Sequence, residues 1–192
     1  FRLPRKKHTE MTLTDKKIII TRAQEQASEA REIFRKNGAQ VFDLPSLVIG
    51  PPDDWAPLDE ALKKICIFDW IVFSSANGVK NVEDRMREID LSLSKISKTT
   101  QIAAVGRKTA ALLSDINAKI NFVPPNFVAD SLVEYFPQNP KGLKLFIPRV
   151  QTGGRSILSD SFTLNGAEVT EVAAYESYCP KDIPQKTIDA LN

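Results

Sequence analysis

The sequence predicts an α/β protein built on parallel sheets, and three observations lead there. Short runs such as Ile18-Ile19-Ile20 and Ile71-Val72-Phe73 are apolar throughout rather than alternating, the pattern of strands covered on both faces. Helical apolar stripes follow closely, which is the βαβ rhythm. One such unit also occurs twice. Lys144-Leu145-Phe146-Ile147-Pro148-Arg149-Val150-Gln151 repeats Lys17-Ile18-Ile19-Ile20-Thr21-Arg22-Ala23-Gln24, and Asn165-Gly166-Ala167-Glu168-Val169 repeats Asn37-Gly38-Ala39-Gln40-Val41. The offsets, 127 and 128 residues, agree if the helix of the second copy carries one extra residue.

In chain order, residues 1–15 are a basic tail without periodicity. Met11 is read as the biological start, with a transit-peptide remnant as the alternative. Residues 16–46 form the first βαβ. Ile18-Ile19-Ile20 is its buried strand, Ala27, Ala30, Ile33 and Phe34 its helical stripe, Asn37-Gly38 the helix stop, and Val41 to Pro45 the second strand. Residues 47–52 are a short extended segment closed by Gly50-Pro51-Pro52, read as a crossing between domains. Residues 53–174 make the second domain. It opens with a helix over Trp55 to Ile67 bearing Leu58, Leu62 and Ile65 on one face. Asp69 to Arg87 is a strand-turn-helix, Leu91 to Thr100 a polar connector, Gln101 to Val105 a strand, and Ala110 to Leu113 a helix. Lys119 to Val123 reads as a further strand stopped by Pro124-Pro125, and Ala129 to Phe136 as a helix. The second copy of the repeat follows.

Composition sets limits. A chain of 192 residues that is 42% hydrophobic and 26% charged buries a real core. Lys+Arg 26 against Asp+Glu 24 is too balanced for bulk attraction to nucleic acid or to a membrane surface, so affinity for anions must be local. No apolar run approaches the roughly 20 residues of a spanning helix. Cys66 and Cys179 lack paired spacing and read as reduced thiols, in the cytoplasm or in a plastid if the source is a photosynthetic eukaryote. His8 is the only histidine and sits in the tail, which argues against a histidine base or metal site. No GxGxxG follows a strand, and neither GxxxxGK[ST] nor GxSxG occurs. Asp53 and Asp54 sit beside prolines and read as solvated capping groups.

Local chemistry concentrates at strand ends. Ile71-Val72-Phe73 stops at Ser74-Ser75-Ala76-Asn77-Gly78, with Ser75 as the N-cap of the next helix. A turn of that kind at the carboxyl edge of a parallel sheet attracts anions. Ser74, Ser75 and Asn77 are assigned to carboxylate binding, since no base accompanies them as nucleophiles. Each copy of the repeat places an arginine, Arg22 or Arg149, just past a strand. There it either grips a carboxylate or joins a surface ion pair. Gly153-Gly154-Arg155 favours the binding reading, because glycines let backbone N–H groups approach an anion.

Taken together, IIITRAQEQA, IVFSSANGV, AAVGRKTAALL, NFVPPNFVADSLVEYF, LKLFIPR followed by Gly-Gly-Arg, and NGAEVTEVAAYES resemble the uroporphyrinogen-III synthase (HemD) family, over about Lys16 to Asn192. The resemblance implies two flavodoxin-like domains joined by a two-stranded linker, with the second domain circularly permuted relative to the first. Leu47 to Gly50 and about Tyr175 to Pro180 would be the linker strands. It implies closure of hydroxymethylbilane to uroporphyrinogen III with inversion of ring D and loss of water, without metal or organic cofactor. It also implies a monomer, with hydroxymethylbilane synthase as upstream supplier. Tyr175 falls at the family's recurrent tyrosine and becomes the expected proton donor or leaving-group holder; Tyr178 is its neighbouring competitor, and a purely packed tyrosine is the alternative. Gly106 and Thr109 match the family's Gly-x-x-Thr turn and are expected to bind substrate, the alternative for Thr109 being a local backbone bond. With Arg22, Arg149 and Arg155 they complete the expected binding set.

One departure matters. A family member continues past the second linker strand to finish the first domain, whereas residues 175–192 hold only the return linker and the start of a helix. The chain is therefore read as a fragment with an incomplete first domain. Two rival readings stay open. A flavodoxin-like module could bind an acidic small molecule without catalysis, and a flavin-binding relative would need the phosphate loop that Thr21-Arg22-Ala23-Gln24 replaces.

Overall fold

A computed structural model describes residues 12–23, 27–96, 100–154 and 156–191. The strands are β1 (Lys17–Ile20), β2 (Gln40–Asp43), β3 (Val48–Gly50), β4 (Trp70–Phe73), β5 (Gln101–Ala104), β6 (Lys144–Val150) and β7 (Glu168–Tyr178). The helices are α1 (Ser28–Lys36), α2 (Ala56–Lys63), α3 (Ala76–Glu88), α4 (Arg107–Asp115), α5 (Ala129–Glu134), α6 (Ile157–Leu164) and α7 (Gln185–Leu191). They form two compact units, one from Phe1–Val48 with Tyr178–Asn192, the other from Ile49–Ser177.

In the first unit β1 and β2 pair in parallel from Lys17↔Gln40 to Ile20↔Asp43. The Thr187 hydroxyl of α7 donates to the Asp43 carbonyl at 2.6 Å, and Arg31 of α1 pairs with the Asp43 carboxylate at 2.8 Å. The expectation of a fully buried Ile18-Ile19-Ile20 is corrected. Only Ile20 is buried, Ile19 is exposed, and α1 buries none of its residues. Two strands among the described residues offer too few neighbours to cover both faces of β1.

The second unit carries a five-stranded sheet in the order β3-β7-β6-β4-β5. β7, β6, β4 and β5 are mutually parallel. Counted from β6, the order β7-β6-β4-β5 is the 2-1-3-4 portion of a doubly wound sheet, started at a different point in the chain. β4 is buried at all four residues because its faces alternate between two cores. Ile71 and Phe73 pack with Leu58, Leu62, Val79, Met86 and Phe146, while Trp70 and Val72 pack with Leu132, Leu145, Leu158 and Phe162 on the other side. Each such fully buried large side chain contributes about 1.5–3 kcal/mol. The Trp70 indole N–H finds Gln138 at 2.7 Å, and the buried Glu83 carboxylate accepts from Leu93 N, the Ser92 hydroxyl and Arg87 Nε.

Three sequence expectations change here. Lys119 to Val123 forms no strand: it touches β5 through one bridge, Ala103↔Phe122. The Asn121 side chain takes the Ile102 N–H at 3.1 Å, and the following Pro124-Pro125 has no N–H to extend a ladder. The strand at Glu168 and the linker strand expected at Tyr175 to Pro180 are one continuous strand, β7, with β3 beside it. The extra residue of the repeat is not in the helix, since α6 has 8 residues against 9 in α1. It belongs to the strand-to-helix connection, where β6 runs on to Val150.

That extension carries an irregularity that shapes the site. Arg149 pairs with Ala173 but Val150 pairs with Tyr175, so Ala174 is left as an extra residue on β7. A bulge breaks the two-residue alternation of faces. Val172, Ala174 and Tyr175 accordingly all face the same core, the one built on α3.

Candidate active site

Because β4, β5, β6 and β7 are parallel, their carboxyl ends meet along one edge. At the end of β4, Ser74 is exposed and Ser75 turns extended at φ −144°, ψ 152°, so that its Oγ accepts the Gly78 N–H at 3.0 Å and caps α3. The Asn77 carbonyl accepts from the Asn81 side chain at 2.9 Å. At the end of β5, Gly106 caps α4 through its backbone, and Thr109 is buried at 3% exposure one turn in. Arg107, the first residue of α4, lays its guanidinium 4.4 Å from the Phe127 ring centroid.

At the end of β6, Arg149 donates to Glu171 at 3.0 Å, to the Gly154 carbonyl at 2.9 Å and to the Val150 carbonyl at 3.3 Å. Its guanidinium thus ties the glycine loop to β7 instead of standing open for an incoming carboxylate. A side chain at Gly154 would meet Arg149 Nη2 at 2.7 Å, so the guanidinium would have to shift to admit one. Tyr175 completes the edge. It is buried at 8% exposure, and its hydroxyl lies 3.0 Å from Ser75 Oγ.

The structure therefore brings Ser75 and Tyr175 into direct contact, with Ser74 and Asn77 on the same turn. Gly106 and Thr109 stand at the neighbouring strand's end. Arg149 is at the edge but internally engaged, Arg22 belongs to the other unit, and Arg155 lies outside the described residues. Tyr178, the other tyrosine of the motif, is exposed at the end of β7.

Sequence reasoning missed two contacts. Gln151 and Asp53 grip each other reciprocally, Asp53 N to Gln151 Oε1 at 2.7 Å and Gln151 Nε2 to Asp53 Oδ2 at 2.6 Å, while Gln151 N donates to the Tyr175 carbonyl at 2.8 Å. Asp53 is thus a structural partner rather than a solvated cap, whereas Asp54 does cap, accepting from Ala56 N at 2.8 Å. The signal was present in the repeated Arg-x-Gln, whose glutamine had no assigned role. The second contact is at Glu176, where the Thr152 hydroxyl, then the Ser177 N–H, hold the carboxyl below the usual carboxylate range.

Acidic residues are unevenly distributed over the helix starts. Among the described helices of the second unit, α2, α5 and α6 carry an acidic residue in the first turn, namely Asp59, Asp130 and Asp160. α3 and α4 carry none, and α4 opens with Arg107-Lys108. The first turns of α3 and α4, at the exits of β4 and β5, thus carry no carboxylate of their own against the positive helix end. Among the described residues no group of three or more His, Cys, Asp or Glu side chains is placed to hold a metal ion. A cavity of about 600 Å³ lined by Leu93, Lys95, Thr100 and Lys119 lies at the start of β5, away from this edge.

Two parallel strands, β4 and β5, that lead into acid-free helix N-termini, with a buried phenol against the first of them, place the chain among α/β proteins with a candidate anion site at the sheet edge. Comparison with known proteins narrows this. The family model for uroporphyrinogen-III synthase HemD matches residues 28–192, and the chain belongs to that family. It is 44% identical over 182 residues to the uroporphyrinogen-III synthase of Synechococcus elongatus, covering 95% of this chain and 68% of that protein. It is 27% identical over 181 residues to a putative uroporphyrinogen-III synthase of Methanothermobacter thermautotrophicus, covering 91% and 68% respectively. The crystal structure of a uroporphyrinogen III synthase mutant from Thermus thermophilus superposes with a TM-score of 0.65 at 14% identity, over 86% of this chain and 64% of that one. The chain thus spans about two thirds of the length of these relatives. No helix among the described residues is long and apolar enough to cross a membrane.

Proposed function

We propose that this chain carries the machinery of uroporphyrinogen-III synthesis, closing the linear tetrapyrrole hydroxymethylbilane with inversion of ring D and loss of water. The observation that carries the reading is the Tyr175 hydroxyl, buried against Ser75 at a sheet edge where α3 and α4 start without acidic residues. The substrate is a polycarboxylate, and α3 and α4 offer backbone N–H groups and dipole ends to its side chains, with Ser74, Asn77, Gly106 and Thr109 as further contacts.

The chemistry starts with loss of the terminal hydroxyl. Tyr175 gives its proton to that oxygen as the C–O bond breaks, water departs, and the pyrrole nitrogen supplies the electron pair that leaves an azafulvene cation. The substituted carbon of ring D attacks the exocyclic methylene to give a spiro intermediate, which rearranges; loss of a ring proton then restores aromaticity and returns a proton to Tyr175. A phenol suits the first step, since an ordinary tyrosine is protonated near neutrality. Spontaneous closure joins the unsubstituted carbon instead, so holding ring D is the larger part of the work.

In the same reading, the two compact units belong to the two flavodoxin-like domains of the family, and the two-stranded first unit is the part that longer relatives complete. The protein would act as a monomer, with hydroxymethylbilane synthase supplying its substrate.

The test supplies fresh hydroxymethylbilane to this chain and, in parallel, to this chain joined to the part of the Synechococcus relative outside the matched span. Oxidised products are separated into uroporphyrin isomers. Isomer III from either protein is the expected result. Isomer I alone from both, with both folded, would reject the synthase reading and favour a non-catalytic binder of acidic small molecules.

A further inference from the structure

Ser75 Oγ has two neighbours, the Gly78 N–H at 3.0 Å and the Tyr175 hydroxyl at 3.0 Å. A serine hydroxyl has one proton to donate and two lone pairs. The Gly78 N–H occupies a lone pair, so the contact with Tyr175 runs in one of two directions. If Tyr175 donates, its proton is spent on Ser75 and none faces the substrate. If Ser75 donates, the phenolic proton is turned outward. An oxygen that accepts a hydrogen bond becomes a stronger donor, so the Gly78 N–H favours the second direction and polarises a chain from α3 through Ser75 to Tyr175.

Two further features hold this chain in place. The Ala174 bulge puts Tyr175 on the α3 face, and the Gln151 N–H fixes the Tyr175 carbonyl at 2.8 Å. With only 8% of the residue exposed, the ring has little room to seek another partner.

We infer that Ser75 is a positioning residue that donates its hydroxyl proton to Tyr175 and so aims the phenolic proton at the substrate, rather than a ligand for a substrate carboxylate. The inference rests on the synthase reading of Tyr175 given above. In the step itself Tyr175 transfers its proton to the leaving hydroxyl, water departs, and the charge left on the phenolate oxygen is stabilised by the Ser75 O–H. Ser75 neither gains nor loses a proton overall. Its contribution is largest once that charge has developed, so it acts on turnover more than on substrate binding.

Two measurements test this. The first uses the 192-residue chain and needs no turnover: the Ser75 hydroxyl proton, assigned by NMR with Ser75→Ala as the blank, exchanges slowly with solvent, and Tyr175→Phe, which removes its acceptor, speeds its exchange about tenfold or more. A Ser75 hydroxyl proton that exchanges freely in the unsubstituted chain, or no faster with Tyr175→Phe, overturns the pairing. The second uses whichever protein forms isomer III. Ser75→Ala is expected to lower kcat about 10- to 100-fold with KM little changed, Ser75→Thr to keep kcat within about fivefold, and Ser75→Ala to cost less than about twofold more in a Tyr175→Phe background. A raised KM with kcat retained, or an equal kcat loss in both backgrounds, overturns the inference. If neither protein forms isomer III, the catalytic role falls with the synthase reading, while the exchange measurement still decides whether the pair exists.

Discussion

Arg85 and Arg149 both spend their guanidinium groups inside the protein, and each decides what its neighbours can do. Arg149 joins Glu171 to the Gly154 carbonyl, so the cation that the sequence offers to a substrate is used to fix the loop after β6. Arg85 holds Asp59 through two bonds of 2.7 Å, approaches Glu88, and lies 4.9 Å from the Trp55 ring centroid. Those two hydrogen bonds keep the Asp59 carboxyl below the usual carboxylate range, against partial burial, which pushes it up. A depressed folded value means that the stabilisation is fully present above the unfolded carboxylate pKa of about 4 and is lost as pH falls through the lower folded value. Asp59→Asn should therefore cost on the order of 1 kcal/mol in denaturant melts at pH 7, with the difference from the unsubstituted chain shrinking below about pH 4. An unchanged difference at pH 3 would remove the ion pair as the cause.

The repeated unit shows what an element's ends encode. In both copies the helix stops at an asparagine whose side chain donates to the carbonyl four residues back at 2.7 Å, Asn37 to Ile33 and Asn165 to Ser161. A glycine follows in the left-handed region, Gly38 at φ 89° and Gly166 at φ 86°, and then a buried alanine opens the return strand. A side chain at Gly166 would also meet Lys141 Cγ at 3.3 Å, and one at Gly38 would meet Thr14 Oγ1 at 3.1 Å. Gly38→Ala and Gly166→Ala should each destabilise the protein by about 1–2 kcal/mol, read as a lowered Tm. A neutral effect at either site would mean that the turn is not held in this conformation in solution. What differs between the copies lies after the first strand, where β6 runs on and the bulge opposite it turns Tyr175 toward α3.

At the scale of the molecule, the two units differ in how much they bury. The second unit covers both faces of β4 and β6, whereas the first leaves Ile19, Ile33, Ile188 and Leu191 exposed around a two-stranded sheet. Stability should be uneven accordingly. In native-state hydrogen exchange of this chain, amides of β4, β5 and β6 should outlast those of β1 and β2 by about tenfold or more. Equal protection would mean that the first unit is covered by something the intrachain contacts do not include.

By itself the sequence determined the kind of fold and the chemical character of the edge. Continuous apolar strands, helix stripes and the repeated Asn-Gly-Ala stop are local signals. They specify parallel βαβ units and place serines, glycines and a Gly-x-x-Thr at strand ends. Burial on both faces of β4, the Ser75 cap and the helix at Gln185–Leu191 follow from the same kind of information. The tertiary structure alone decided which polar groups meet. Arg149 finds Glu171, Asp53 finds Gln151 across 98 positions, and Ser75 finds Tyr175 across 100. A one-residue bulge decides the last of these by changing the face on which a side chain stands, and no periodicity in the chain announces it. Lys119 to Val123 failed as a strand for a related reason: its apolar pattern was suitable, but a side-chain amide claimed the hydrogen bond that the ladder needed. Local patterns report what a segment can become, whereas competition for hydrogen-bond partners is settled only when distant segments are brought together.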